Sequence, residues 1–299
     1  MSDALSAIFD PKAASAIADL ELVSRRVVEG FLSGVHPSPY YGFALEFAAY
    51  RDYVPGDDLR YLDWRVWGRT DRHYIKQFEE TTNLSCILFI DCSGSMAIEE
   101  RNGVSKFKYS IMAAGALGYL MTRQGDSVGL YVVYGGERIY IPPKGGRRHL
   151  FSLLAQLSRL KPTGSVPLPE ALEGLSQRIG HRGMVLLFSD FLWPTADMTS
   201  ALKRLYSTRS DLIVFEILTQ DELGFPYEGM TEFEDVEGEM RLLTQSTLVK
   251  QAYLSEMSSH REAIRHAVTE QEGDVVALSP SESLASVLPA YLARRARLL

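Results

Sequence analysis

The chain reads as an α/β protein: a doubly wound, mostly parallel sheet with one antiparallel edge strand, preceded by a small N-terminal β-rich segment. Three observations predict it. Short, predominantly apolar runs at 84–90 (LSCILFI) and 184–189 (MVLLFS) have the composition of strands buried on both faces. These runs alternate with stretches of helical apolar spacing, the pattern of successive βαβ units. Two strand-like runs flank Gly135-Gly136, a hairpin signal that supplies the antiparallel strand.

Taken in order, residues 12–30 carry Ala16, Ile17, Leu20, Val23, Val27 and Val28 at helical spacing and stop at Gly30. The stretch GVHPSPYYGF that follows is irregular. From 43 to 81 the chain is aromatic and charged, without helical period. Between 51 and 80 six basic residues face seven acidic ones, so this segment reads as short strands and turns braced by ion pairs, not as a basic patch. Arg51, Asp57, Asp58, Arg60 and Asp63 suit such a network, Trp64 and Trp67 hold the segment in place, and Val54-Pro55-Gly56-Asp57 marks a turn. The character changes after Asn83, which divides an N-terminal segment (1–83) from the main domain (84–299).

The first strand of that domain, 84–90, ends at Asp91. A helix over 105–124 lines up Phe107, Ile111, Met112, Ala114, Leu117 and Leu120 on one side. The hairpin strands are 128–134 and 137–143, followed by helices over 147–160 and 169–179. A second buried strand, 184–189, ends at Asp190. Beyond it come a helix (196–206), a strand (212–218), a long amphipathic helix (246–271), a strand (275–278) and a closing helix (283–297).

Composition narrows the function. A net charge of −7 argues against general binding to nucleic acid or anionic membranes. No run approaches 18 apolar residues, so no spanning helix is expected, and the acidic N-terminus lacks the basic flank of a signal peptide. Cys86 and Cys92 read as free thiols of a reducing cytosol, which predicts a cytoplasmic protein. The six histidines show no metal spacing, and the phosphate-loop, dinucleotide and serine-hydrolase signatures are missing. Between Arg209 and Arg241 lie ten acids and no base. That block reads as a solvated loop and hairpin turning at Glu237-Gly238, or as an acidic docking surface for a basic partner.

The chemistry concentrates at Asp91-Cys92-Ser93-Gly94-Ser95-Met96, directly after the first strand. D-x-S-x-S offers one carboxylate and two hydroxyls from a tight turn, hard oxygen ligands suited to Mg²⁺ or Mn²⁺. In an open parallel sheet, ligands sit at the carboxyl ends of strands where the strand order reverses. Asp190 ends a strand predicted to lie across that point, so two acids converge on one crevice. The same residues also suit a bland role, with Ser93 and Ser95 capping the next turn and Asp91 bonded to backbone amides. Trp193-Pro194, just beyond Asp190, offers an interface anchor or a packed loop residue.

The strand-loop-helix around FIDCSGSM, with Asp190 in LLFSDF, resembles a von Willebrand factor A-like domain with a metal-ion-dependent adhesion site. The upstream run YRDYVPGDDLRYLDW, with Val66–Arg69 and IKQFEE after it, is similar to the signature of the bacterial "domain of unknown function 58" family. The resemblance implies that Asp91, Ser93 and Ser95 form the first metal loop and Asp190 the third. In the second loop it implies a threonine within G-x-T-x-L-x-x-A-L, where this chain has Gly164-Ser165-Val166-Pro167-Leu168, so valine stands in the threonine position.

It further implies a non-enzymatic partner of a MoxR-type AAA+ ATPase, acting with it in chaperone-like assembly or activation of a client protein. Two other functions fit the residues. One is a metal-free scaffold that binds through the acidic 211–239 region. The other is a metal-dependent phosphatase with Asp91 as nucleophile, although position 93 is serine where a second acid is expected.

Overall fold

A computed structural model describes residues 20, 22–28, 84–134, 136–179, 183–206, 210–238 and 240–284, together with the backbone of 46–52 and 74–79. Ten strands and six helices are labelled here. In the N-terminal part, β1 (Glu46–Asp52) pairs antiparallel with β2 (Tyr74–Glu79), with a register shift between Phe47 and Ala49. The charged and Trp-bearing stretch between them, most of the 12–30 helix and the closing helix beyond residue 284 lie outside the described residues. Within the first helix, 22–28 is helical as expected.

The main domain holds a six-stranded sheet of β3 (Ser85–Ile90), β4 (Ser127–Tyr134), β5 (Glu137–Lys144), β6 (Met184–Ser189), β7 (Asp211–Ile217) and β10 (Asp274–Leu278). Their order is β10-β7-β6-β3-β4-β5, parallel throughout except for β5. This doubly wound order with one antiparallel edge strand is the von Willebrand factor A-like arrangement that the resemblance implies. Pro142 and Pro143 fall in β5, an edge strand, where a missing N–H costs least. Opposite them Gly129 sits at a bulge, because a Cβ there would stand 2.7 Å from the Ile141 carbonyl oxygen.

The helices are α1 (Lys106–Arg123), α2 (Arg147–Leu157), α3 (Leu168–Ser176), α4 (Thr195–Tyr206), α5 (Gln220–Gly224) and α6 (Ser246–Thr269). Alternate strand residues feed two separate apolar layers. Cys86, Leu88, Ile90, Leu130, Leu186 and Phe188 pack with α1, α2, Leu20 and, from the 22–28 helix, Val28. Ile87, Phe89, Tyr131, Val185, Leu187 and Val214 pack with α3, α4 and α6. Wholly buried strands follow from this double covering, and their lack of polar alternation is its sequence trace.

The short helix α5 was not expected. Thr219 caps it and Glu222 returns the bond, a capping box buried within the acidic block. The hairpin anticipated around Glu237 is present as β8 (Met230–Glu234) and β9 (Arg241–Gln245). No helix among the described residues is long and apolar enough to cross a membrane.

Candidate functional site

Strands β3 and β6 are neighbours, and the chain leaves them in opposite directions, to β4 on one side and to β7 on the other. Their carboxyl ends therefore frame the reversal of strand order, where an open parallel sheet leaves a crevice. The Asp91 N–H donates to the Phe188 carbonyl at 2.9 Å, which carries the ladder one residue past β3. Asp91 and Asp190 thus emerge side by side, 2% and 3% exposed.

Both oxygens of Asp91 are engaged. Oδ1 accepts the Ser93 N–H at 2.9 Å and Oδ2 accepts the Ser189 hydroxyl at 2.5 Å. The Ser93 hydroxyl is not used for capping: Ser93 precedes the 3-10 turn Gly94–Ala97 and makes no side-chain capping bond to its backbone. Instead, Ser93 Oγ lies 3.1 Å from Ser95 Oγ. The two hydroxyls and the Asp91 carboxylate therefore form one contiguous patch of hard oxygen atoms. The turn after Asp190 is strained, since buried Phe191 has φ 56°, a region few non-glycine residues adopt. Ser189 Oγ, accepting the Phe191 N–H, and His260 Nε2, 3.0 Å from the Phe191 carbonyl, hold it there.

Sequence reading missed the residue that dominates the electrostatics. Lys106, the first residue of α1, is fully buried, and its ammonium donates to Asp190 Oδ2 at 2.7 Å and to Glu222 Oε1 at 2.5 Å. Burial works against that charge, but Asp190 and Glu222 outweigh it and hold the ammonium above the ordinary lysine range. Glu222 is fixed by its capping box, its Oε2 accepting from both Thr219 N–H and Thr219 Oγ1. Asp190 is thereby turned toward Lys106, while its Oδ1 accepts the Leu192 N–H at 3.2 Å.

One ammonium among three carboxylates leaves the crevice negative. Burial, and then the charge of Asp190, push the Asp91 carboxyl up to about 6 from its ordinary 3.8, against the opposing bonds from Ser189 and Ser93. Burial and the Asp91 charge likewise push the Cys92 thiol far up, so it stays protonated and inert.

Among the described residues the second loop meets the first through backbone groups. Thr163 N–H donates to the Cys92 carbonyl at 2.8 Å, and the Gly94 N–H donates to the Gly164 carbonyl at 2.7 Å. Val166 is 5% exposed and belongs to the apolar layer beneath α3. A second element missed by sequence reading covers the first loop: the tip of the β8–β9 hairpin. Ser95 N–H donates to Glu237 Oε1 at 3.3 Å. The turn read as solvated therefore packs on the site, because Gly94 has no side chain to hold it off; a Cβ there would lie 3.0 Å from the Val236 carbonyl. Among the described residues no cluster of three or more His, Cys, Asp or Glu side chains forms a metal-binding group, so any ion would depend on the serine hydroxyls. Trp193 is half-buried beside the site and lines a shallow groove with Leu192, Pro194, Tyr253, Met257 and His260.

Two uncharacterized proteins, from Mycobacterium bovis and Mycobacterium tuberculosis, are each 26% identical to this chain over 294 residues, covering 97% of it and 92% of their own length. Among solved structures, the conserved hypothetical protein BatB from Bacteroides thetaiotaomicron is similar at 16% identity and a TM-score of 0.46, over 72% of this chain and 99% of its own. The SpRpn10 VWA domain is similar at 12% identity and a TM-score of 0.41, over 70% and 94%. A family profile spans residues 49–263, reaching from β1 through both aspartates into α6. The chain belongs to the family described as "Protein of unknown function DUF58".

Proposed function

We propose that this chain is a non-enzymatic protein-interaction module that binds Mg²⁺ or Mn²⁺ at the crevice and uses the ion to grip a partner. The reading extends to a MoxR-type AAA+ ATPase as partner, with assembly or activation of a client protein in the cytoplasm as the outcome. The observation that carries it is the patch made by Asp91, Ser93 and Ser95 beside Asp190, all at the switch point of the sheet. The donors fit a hard divalent cation. They are oxygen atoms only, the two hydroxyls are not consumed by capping, and the buried charge is negative even after Lys106 is counted.

Asp91, Ser93 and Ser95 would hold the ion, with Asp190 acting from the neighbouring strand. A cation bound by so few anionic ligands stays electrophilic and attracts an acidic side chain from a partner. Asp190 is partly neutralised by Lys106, which keeps the negative charge around the ion low. A phosphatase gains little support here, because Ser93 replaces the expected second acid and its hydroxyl faces Ser95.

The test uses the immobilised chain and a purified MoxR-type ATPase. Capture is expected with the wild type and is expected to be lost with Asp91→Asn and with Ser93→Ala. Equal capture by all three contradicts an ion-dependent grip.

A second reading has its own observation. The β8–β9 hairpin and the start of α6 expose Met230, Met240, Leu242, Leu243 and Leu248 among Glu228, Glu232, Glu234 and Asp235. Apolar side chains ringed by acids suit a metal-free docking face for a basic partner. Charge reversal at Glu234 and Asp235 then weakens partner capture, whereas Ser93→Ala leaves it intact.

A further inference from the structure

Strands β8 and β9 form a sheet of two, so each has an edge without a neighbouring strand among the described residues. Their ladder is fixed at both ends. The Asp235 N–H donates to the Met240 carbonyl at 2.9 Å, and the Ser246 N–H donates to the Gly229 carbonyl at 2.9 Å. Facing pairs of an antiparallel ladder are bonded alternately, so the register makes Thr231–Thr244 and Phe233–Leu242 the bonded pairs between those ends. The N–H groups of Arg241, Leu243 and Gln245 therefore point outward from β9, with the carbonyls of Arg241 and Leu243. A free edge is a template for a further strand, and charged side chains are its usual guard. Glu232 and Glu234 guard β8 in this way. The centre of β9 carries Leu242 and Leu243 instead, 55% and 64% exposed.

The two faces of the hairpin differ. Leu242 lies opposite Phe233, whose ring stacks on Phe225 at 5.5 Å, so this face is apolar. Leu243 lies opposite Glu232 on the other face, beside the exposed Glu234, so that face is acidic.

We propose that β9 takes an extended segment of a partner protein as a third strand, one in which basic and apolar residues alternate. The proposal rests on the acidic docking reading above and deepens it. The segment's backbone pairs with the outward groups of Arg241, Leu243 and Gln245, as in other strand additions. Its apolar side chains prolong the row of Phe233 and Leu242. Its lysine or arginine side chains fall on the opposite face, where their stems cover Leu243 and their charges reach toward Glu232 and Glu234, about 10 Å from the added strand. A second copy of this chain is the poorer occupant, because it brings the same acidic block with it.

The experiment titrates the full chain with a short synthetic peptide of alternating lysine and valine, and with a glutamate–valine peptide as control. Affinity is read by calorimetry, and hydrogen exchange amide by amide by NMR. The lysine–valine peptide is expected to bind and to slow exchange at Arg241, Leu243 and Gln245, whose amides exchange fast in the free chain. The amides of Leu242 and Thr244, already in the ladder, are expected to change little. Leu243→Pro removes one outward N–H and leaves the hairpin's own bonds in place. It is expected to weaken binding about tenfold, the scale of a lost hydrogen bond. Binding that Glu234→Lys and Asp235→Lys weaken, with no change at the outward amides and none in Leu243→Pro, overturns strand addition and leaves the acidic docking face standing. No binding of the lysine–valine peptide, or equal binding of the control, overturns both. Slow exchange of the outward amides without peptide, in a chain that sediments as a dimer, gives the edge to a second copy and overturns the proposal.

Discussion

The Lys106 ammonium lies 2.7 Å from Asp190 Oδ2 with both side chains buried, joining the start of α1 to the end of β6 across the mouth of the sheet. A second bond to Glu222 ties in the segment after β7. Three chain segments separated by up to 116 residues thus meet at one nitrogen atom. Removing a single partner from a buried charge cluster strands the others, which typically costs about 3–5 kcal/mol. Lys106→Met is therefore expected to lose that much stability in urea unfolding. Combining it with Asp190→Asn and Glu222→Gln should recover most of the loss. A single variant as stable as wild type contradicts the buried pairing.

Asp91 predicts a pH dependence for the metal-free protein. Its carboxyl is held up to about 6 in the folded chain against 3.8 when free, so between those values the folded state binds more protons than the unfolded one. Stability then falls as pH rises across that interval and levels off above it. Unfolding free energies in a chelating buffer should show this fall in the wild type and not in Asp91→Asn. A fall of equal size in the variant assigns it to other groups.

Val166 stands where the family resemblance implies threonine, yet it packs in the layer with Phe89, Tyr131 and Leu168. A hydroxyl placed in that layer lacks a partner, at a cost of about 1–3 kcal/mol. Val166→Thr is expected to lower the unfolding midpoint without tightening Mg²⁺ binding. Tighter binding would place the side chain in the site instead of the core.

Gly94 lets the hairpin tip close on the loop. Gly94→Ala brings a Cβ to 3.0 Å from the Val236 carbonyl, so one of the two backbones must shift. Faster hydrogen exchange at 236–238, with the sheet amides unchanged, is the expected outcome. Unchanged exchange at the tip means that the hairpin does not rest on Gly94.

Much of the main sheet and of its crevice is legible in the sequence. The runs 84–90 and 184–189 announced buried parallel strands because helices cover both their faces, and each run ended in the aspartate that marks the crevice. Lys106 was illegible, since a lysine in SKFKYS at a helix start reads as an ordinary solvated residue. Its burial depends on Asp190 and Glu222, which only the fold brings near. Glu222 and Glu237 were hidden among the eight other acids of the block, of which Glu216 also turns inward. The capping box of α5 did leave a local trace, the Thr219 to Glu222 spacing, which a search for cap signals would find.

The most direct measurement counts Mn²⁺ bound per chain by electron paramagnetic resonance, in the wild type and in a Ser93→Ala, Ser95→Ala double variant. A single tight ion is expected in the wild type and none in the variant, with both proteins folded. The same occupancy in both, or no ion in either, would contradict a cation held by the hydroxyls of that turn.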